Sequence, residues 1–429
     1  MTRSLSLNGI LFSGVFPEMP PAAPEAGLGV PALPEPYATP SVRNHPVVIG
    51  WPEGRAPAAP AGFTVSRYAD GLDYPRWFHV LPNGDVLVAE ARTTMELPPK
   101  NQRQEDQVRA RSAGTSANRI TLLRDADGDG VPEMREVFLT GLNRPFGMAL
   151  LGGYLYVGNT DGVVRVPYQD GQTRIDATPE KILDLPAGGY NNHWTRNIVA
   201  SRDGRKLYVT VGSASDHSEH GIEEEHRRAC ILEINPDGSG ERLYASGLRN
   251  PVGLDFEPTT GLVWTAVNER DEIGDDLVPD YITSVQDGGW YGWPYAYFGQ
   301  NEDPRLAGAR PDLVASSLTP DFEVGPHTAS LGLAFCTGTA FPERYRGGVF
   351  IGQHGSWNRA DRSGYAVTFV PFENGKPSGP MEPFLTGFIV EGSPKDVYGR
   401  PCGVAFLPDG SLLVADDAAD TVWRVTAES

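Results

Sequence analysis

Arginine recurs in this chain inside phrases otherwise made of glycine, proline and apolar residues. Residues 246–256 read SGLRNPVGLDF, with Arg249 beside Asn250, and residues 140–150 read TGLNRPFGMAL, with Arg144 in a matching place. Arg76 (ADGLDYPRWFHV, 69–80) and Arg400 (GRPCGVAF, 399–406) stand in related phrases. A guanidinium keeps its charge at any working pH, and its planar fork matches a carboxylate. Several drawn to one place repel each other unless acids or an anionic guest lie between them. For any one arginine, an ion pair with a nearby Asp or Glu is the plain reading. Arg249 and Arg400 taken together point to an anionic ligand, provided that both face one open space and are not already neutralised.

Other residue types carry different chemistry. His193, in GGYNNHWTRN (188–197), follows glycines and two amides and precedes an apolar run. A side chain that titrates near neutrality suits a general base, although a lone histidine is also a common structural residue. DADGDGVPEMRE (125–136) sets Asp125, Asp127, Asp129, Val131 and Glu136 at the spacing of an oxygen-lined calcium loop, with Val131 contributing its carbonyl. Its flanks, ITLLR and VFLTGL, read as strands, so a calcium-capped hairpin turn is expected here rather than an EF-hand. An acidic solvated turn is the alternative, and neither bears on substrate. DHSEHGIEEEHRRA (216–229) holds three histidines among acids at a spacing that fits no closed zinc site, and reads as a polar loop. FIGQHGSWNRADRSGYAV (350–367) offers His354, Trp357 and Arg359 after a strand, and GGWYGWP (288–294) supplies aromatic surface.

The scaffold for these groups follows from the punctuation. The 429 residues include 50 glycines and 38 prolines, which favours tight turns over long helices. Short apolar runs follow turn signals in LPNGDVLVAEA (81–91), LGGYLYVGNTDG (151–162), SRDGRKLYVTVG (201–212), EPTTGLVWTAVN (257–268), FPERYRGGVFIGQHG (341–355) and LPDGSLLVADD (407–417). Each predicts a hairpin with period-2 alternation. The arginine phrase or a relative (HTASLGLAF, 327–335, is another) precedes most of them. A repeat of about 60 residues suits the blades of a propeller. The expected fold is therefore all-β: six blades of four antiparallel strands, with the strand near 63–69 completing the last blade so that no edge stays open. A pair of β-sandwiched sheets would leave the recurring phrase unexplained. Residues 1–60, rich in proline and alanine from residue 17 on, read as an N-terminal extension, and 61–429 as the propeller.

Charge and composition exclude some partners. A net charge of −19 argues against nucleic acid, and no apolar run approaches the roughly 20 residues of a membrane span. The three cysteines match no zinc site and no disulfide framework. The start, MTRSLSLNGILFSGVF, is a weak signal peptide.

GLRNPVGL, VNERDEIGDDLVPDY, DGGWYGWP, HTASLGLAF, FIGQHGSWNR and GRPCGVAFLPDGSLLVADD, in this order, resemble the soluble pyrroloquinoline-quinone (PQQ) sugar dehydrogenases, in the branch of L-sorbosone and pyranose dehydrogenase-like proteins. The resemblance runs from about residue 62 to the end. It implies a six-bladed propeller that holds PQQ and calcium at the top of its channel and oxidises an aldose or ketoaldose, with electrons leaving to an external quinone, dye or cytochrome. By this resemblance His193 is the base, Arg249, Asn250 and Arg400 contact PQQ, and main-chain oxygens of Arg270 and Asp271 hold the cofactor calcium. The glucose-dehydrogenase branch has a cofactor lysine where this chain has GQHGSWNR, so His354 or Arg359 is expected to replace it. Ser213 stands where that branch has an aspartate near its base. A periplasmic or secreted location is also implied. The competing functions are a calcium-dependent lactonase, which would want carboxylates and amides around its metal, and a non-catalytic propeller that binds glycans or a protein.

Overall fold

The computed structural model describes residues 31–428. The reading of the chain's start as a weak signal peptide, and the first part of the proline- and alanine-rich extension, lie outside the described residues. Blade 1 is built from Pro75–Val80, Val86–Glu90, Arg119–Arg124 and Met134–Leu139, innermost to outermost, each antiparallel to the next. Blades 2 to 5 repeat the pattern, beginning at Met148–Leu151, Ile198–Ala200, Pro251–Phe256 and Ala334–Phe335, and blade 3 gains a fifth, short strand, Gly289–Trp290, parallel to its outermost one. Blade 6 takes Pro401–Phe406, Leu412–Asp416 and Thr421–Ala427 from the end of the chain. Its outermost strand is Phe63–Ala69, with Phe63 opposite Ala427. The ring is a six-bladed propeller, closed as the sequence predicts.

The second strand of most blades is buried along its whole length (VLVAE, VWTAV, VFIGQ and LLVAD) rather than on alternate residues. Both faces of a blade are covered by its neighbours, so a continuous apolar run replaces alternation. The recurring phrase has a steric cause as well. A Cβ on Gly332 would lie 2.3 Å from the Cys402 carbonyl of the next blade, and one on Gly403 would lie 2.6 Å from the Arg76 carbonyl of blade 1. Gly147 and Gly253, at the same place in their phrases, meet the following blade as closely. The glycine lets inner strands crowd around the axis, and the arginine marks the crossing just before it.

Strand alternation sorts the connections. Blade-to-blade crossings and the loops from second to third strand emerge at one end of the ring, and the tight turns at the other. The acidic 125–133 turn, which joins the third and fourth strands of blade 1, is therefore remote from the crossings. The second-to-third loop of blade 1 carries a helix, Gln102–Arg109, capped by Asn101, whose side chain accepts from Gln104 N. It buries no residue, so no apolar periodicity announces it. The described part of the extension lies on the ring. Val47–Val48 runs parallel to Asp396–Val397, Ala58 pairs with Thr386, and Trp51 packs against Phe388, Tyr398 and Trp423. Cys230, Cys336 and Cys402 are free and buried.

Replacing Gly403 with Ala should cost about 1–3 kcal/mol by overpacking the seam between blades 6 and 1. Ala at Gly188, where a Cβ meets nothing within 4 Å, should be nearly silent. Calorimetric Tm values that fall equally for both would contradict the packing role assigned to the phrase.

Candidate active site

The crossings and the second-to-third-strand loops surround a cavity of about 720 Å³. His193, Arg249, Asn250, Asp271, His354 and Arg400 all line it, brought by crossings and loops of blades 3 to 6.

His193 sits on the crossing into blade 3. Its Nδ1 lies 2.8 Å from the Ser213 carbonyl and 3.0 Å from Ser213 Oγ, whose own proton goes to the Ser215 carbonyl. A carbonyl can only accept, so Nδ1 carries the hydrogen and Nε2 keeps a lone pair. Burial, followed by the nearby Arg249, pulls the pKa of the ring down to about 3. Two buried guanidiniums with no carboxylate partner among the described residues hold this crossing. Arg196 donates to the His193 and Pro186 carbonyls at 2.8 Å each, and Arg228 binds Asn191 and the Gly188 carbonyl. Gly212 gives His193 room: a Cβ there would stand 2.6 Å from that of His193 and 2.3 Å from Asn250 Oδ1.

The two arginines expected to share an anion differ. Arg249 is already neutralised. Its Nη2 lies 2.7 Å from Asp216 Oδ1, its Nε donates to the Asp216 carbonyl, and its Nη1 donates to the Asn268 and Glu269 carbonyls. Burial would raise the pKa of Asp216, but Arg249 and His217 hold it well below the carboxylate range. Arg249 thus braces two loops while lining the cavity, with most of its donors already engaged. Arg400 donates to the His354 and Gly355 carbonyls at 3.0 and 2.9 Å, and no carboxylate among the described residues pairs with its side chain. Its charge is unbalanced beside the open space.

Other expected site residues are placed as follows. Arg270 forms a buried ion pair with Asp303 and donates Nε and Nη2 to the Asp271 carbonyl, so its side chain stays behind the wall and that main-chain oxygen is occupied. Arg359 pairs with Asp276 at 2.7 Å and lies outside the cavity, because its loop turns toward Asp275 and Asp276. His354 lines the cavity with Nε2 held 2.8 Å from Asp417, which also pairs with Arg76. Burial and Arg400 outweigh that carboxylate and lower the ring's pKa to about 4. At the far end of the ring, Glu133 rather than Glu136 joins Asp125, Asp127 and Asp129. The chain enters strand Met134–Leu139 directly, which carries Glu136 away to sit opposite Leu122. Val131 N donates to Asp129 within the same turn.

Sequence reasoning missed Asp216, Asp417 and Glu269. Glu269 is buried at the cavity wall with Oε1 unpartnered, and burial pushes its pKa up to about 8. Asp280, beside it, is pushed up to about 6. Asp216, His217 and Glu272 also converge, but Arg249, Arg305 and Arg43 already pair with them, which leaves little need for a metal ion. The acids around His217 were the one sequence signal for this cluster.

A neutral, oriented imidazole and a guanidinium with no carboxylate partner among the described residues thus share one cavity at the mouth of the propeller. The Glucose/Sorbosone dehydrogenase family model matches residues 72–355, and a TrAA12-like model matches 313–428. The chain belongs to the glucose/sorbosone dehydrogenase family and is an oxidoreductase. A pyrroloquinoline quinone-dependent sugar dehydrogenase of Hypocrea jecorina is 23% identical over 86% of this chain and 89% of that protein. Among solved structures, the holo PQQ domain of pyranose dehydrogenase from Coprinopsis cinerea superposes with a TM-score of 0.69 at 19% identity, covering 88% of this chain and 99% of that one. The PQQ-bound aldose sugar dehydrogenase of Streptomyces coelicolor gives 0.56 at 19% identity, over 86% and 99%. At such identities the superpositions establish the fold.

The neutral ring is the form able to accept a proton, and it persists at every pH above its folded pKa. In the cofactor-free protein, ¹⁵N shifts of His193 should report the Nδ1–H tautomer and half-protonation near pH 3, against an ordinary value of 6.5. A midpoint near 6.5 would show that burial and Arg249 do not govern the ring.

Proposed function

We propose that this protein is a PQQ- and calcium-dependent dehydrogenase that oxidises an aldose or a ketoaldose such as sorbosone and passes the electrons to an external acceptor. The observation that carries the reading is the pairing of an unbalanced Arg400 with the free Nε2 of His193 in one cavity. The donor set fits both groups. A flat polycarboxylate suits the Arg400 guanidinium, while the buried, unpartnered Oδ1 of Asn250 is an acceptor that suits a donor or the cation of the guest. A hard cation suits the unpartnered Oε1 of Glu269 and the Arg270 carbonyl next to it in the chain.

When bound, PQQ supplies the hydride acceptor and calcium a Lewis acid beside it. The protein's own work is simpler. Nε2 of His193 accepts the hydroxyl proton of the sugar, while the Ser213 carbonyl holds Nδ1–H and fixes the ring plane. Arg400 gives positive potential where negative charge arrives, and its carbonyl contacts keep the fork from swinging away. At the other end of the ring we assign Asp125, Asp127, Asp129 and Glu133 a second, structural calcium. The working location, by family resemblance, is the periplasm or the exterior. No helix among the described residues is long and apolar enough to cross a membrane.

Adding PQQ and calcium to the purified protein should produce a bound-quinone absorption band and sugar-dependent dye reduction. His193→Ala should lower kcat by about 10²- to 10⁴-fold and leave the quinone titration unchanged. Lactone hydrolysis without quinone binding would replace this reading with the hydrolytic one, for which Asn250, Asn268 and Glu269 would be the metal's donors. Loss of quinone binding in His193→Ala would make the ring a cofactor contact. For the second calcium, a chelator should lower the Tm of the cofactor-free protein but not that of Asp127→Asn, and equal shifts would remove it.

A further inference from the structure

The family match begins at residue 72, yet a strap well ahead of it, Arg43 to Val47, lines the same cavity as His193. The strap is held closely. Asn44 N donates to the Trp357 carbonyl at 2.7 Å and its Nδ2 to the Ala360 carbonyl at 3.0 Å. Val47 N donates to the Lys395 carbonyl at 2.9 Å, where the two-residue parallel pairing with Asp396–Val397 starts. Arg362 contributes most. Its Nη1 donates to the Asn44 carbonyl at 3.0 Å, and its Nη2 to the His45 and Lys395 carbonyls at 3.3 and 3.1 Å. No carboxylate among the described residues pairs with Arg362, its Nε is buried without a partner, and burial lowers its pKa. A cation kept half-desolvated on neutral carbonyls is a poor source of stability. What it secures is the position of the strap.

The exposed chemistry of the strap is polar. The His45 ring stacks on Trp357, with centroids 5.2 Å apart and planes at 19°. Burial lowers its pKa, so the ring is neutral and offers one donor and one acceptor. Arg43 is largely exposed, with only a loose 3.7 Å contact to Glu272. The blade 1 helix Gln102–Arg109 touches Val47–Val48 and brings Gln102, Arg103 and Asp106 to the same wall. Ring closure is done by the blades, and His193 is held by its own crossing. The strap and helix share one property, a polar face turned to the cavity.

We propose that the strap Arg43–Val47 is a specificity-determining wall of the sugar chamber, with His45 and Arg43 binding hydroxyls away from the reacting carbon. Arg362 is its positioning residue. The proposal rests on the dehydrogenase reading above. Chemically, a neutral imidazole and an exposed guanidinium held only loosely by Glu272 fit the hydroxyls of an uncharged sugar, which asks for several donors and acceptors and no counter-ion.

The test uses the full chain loaded with PQQ and calcium, and a panel of aldoses with dye as acceptor. His45→Ala and Arg43→Ala should raise KM about 3- to 30-fold, hold kcat within about twofold, and change the ranking of sugars. Quinone affinity, measured by titration, should not move. Arg362→Gln should reproduce the KM rise, and the double variant with His45→Ala should show less than the product of the two effects. Unchanged KM for every sugar, or quinone affinity falling in step with KM, would overturn the proposal. If the wild type oxidises no sugar, the dehydrogenase reading fails on its own. Amide exchange at residues 43–48 then decides for the strap: slowing by glucose upholds it, and no slowing overturns it.

Discussion

Burying charge obliges the protein to pair it, and the top of this propeller gathers ionised groups from several blades into one half-enclosed space. Most are paired off by carboxylates of another connection: Arg249 by Asp216, Arg76 by Asp417, Arg270 by Asp303. The first two pairs tie second-to-third-strand loops to crossings, and the third ties such a loop to the long connection between the third and fourth strands of blade 4. The groups left over define what the cavity can receive. Arg400 keeps an unbalanced charge, Asn250 and Glu269 keep unpartnered oxygens, and His193 keeps a lone pair. A guest with acids, carbonyls and a bound cation would meet each of these needs at once.

The ring was legible because its constraint is local and repeated. Small residues must stand where inner strands meet, and turn residues must stand between them, so Gly332 and Gly403 wrote the same phrase at different blades. The site was legible only in part. His193 and Arg400 belong to the repeated crossings, and they were found with them. Asp216 and Asp417 belong to loops with no period, and each finds its arginine on a different blade, so nothing near them in sequence points to the pairing. The same gap explains the misplacement of Arg359, whose partners are two aspartates far from it in the chain. Glu136 failed for a different reason. The calcium-loop spacing assumes a helix after the loop, and a strand there advances the chain about twice as far per residue. The carboxylate that returns to the turn is therefore the earlier one, Glu133.

The N-terminal strap shows how a ring of blades acquires additional chemistry at its mouth. A propeller fixes the bases of its loops tightly but leaves the space above them open, so any segment laid across the top alters the chamber without disturbing the blades. Here Arg362 and the short pairing at Val47–Val48 hold such a segment across blades 5 and 6. Its composition, rich in proline and without periodicity, suits a piece that needs surface contacts and no core of its own.

The orientation of His193 by a carbonyl rather than a carboxylate limits how strongly its ring can hold a proton. A carboxylate on Nδ1 would stabilise the charged ring and raise its affinity for a proton. The Ser213 carbonyl fixes the tautomer but adds little such stabilisation, while Arg249 and burial act against it. Negative charge entering the cavity beside the ring would raise its proton affinity. An anionic guest would then do two things together: neutralise Arg400, and make the imidazole a better proton acceptor. The proton affinity of the imidazole would thus depend on the charge brought in beside it.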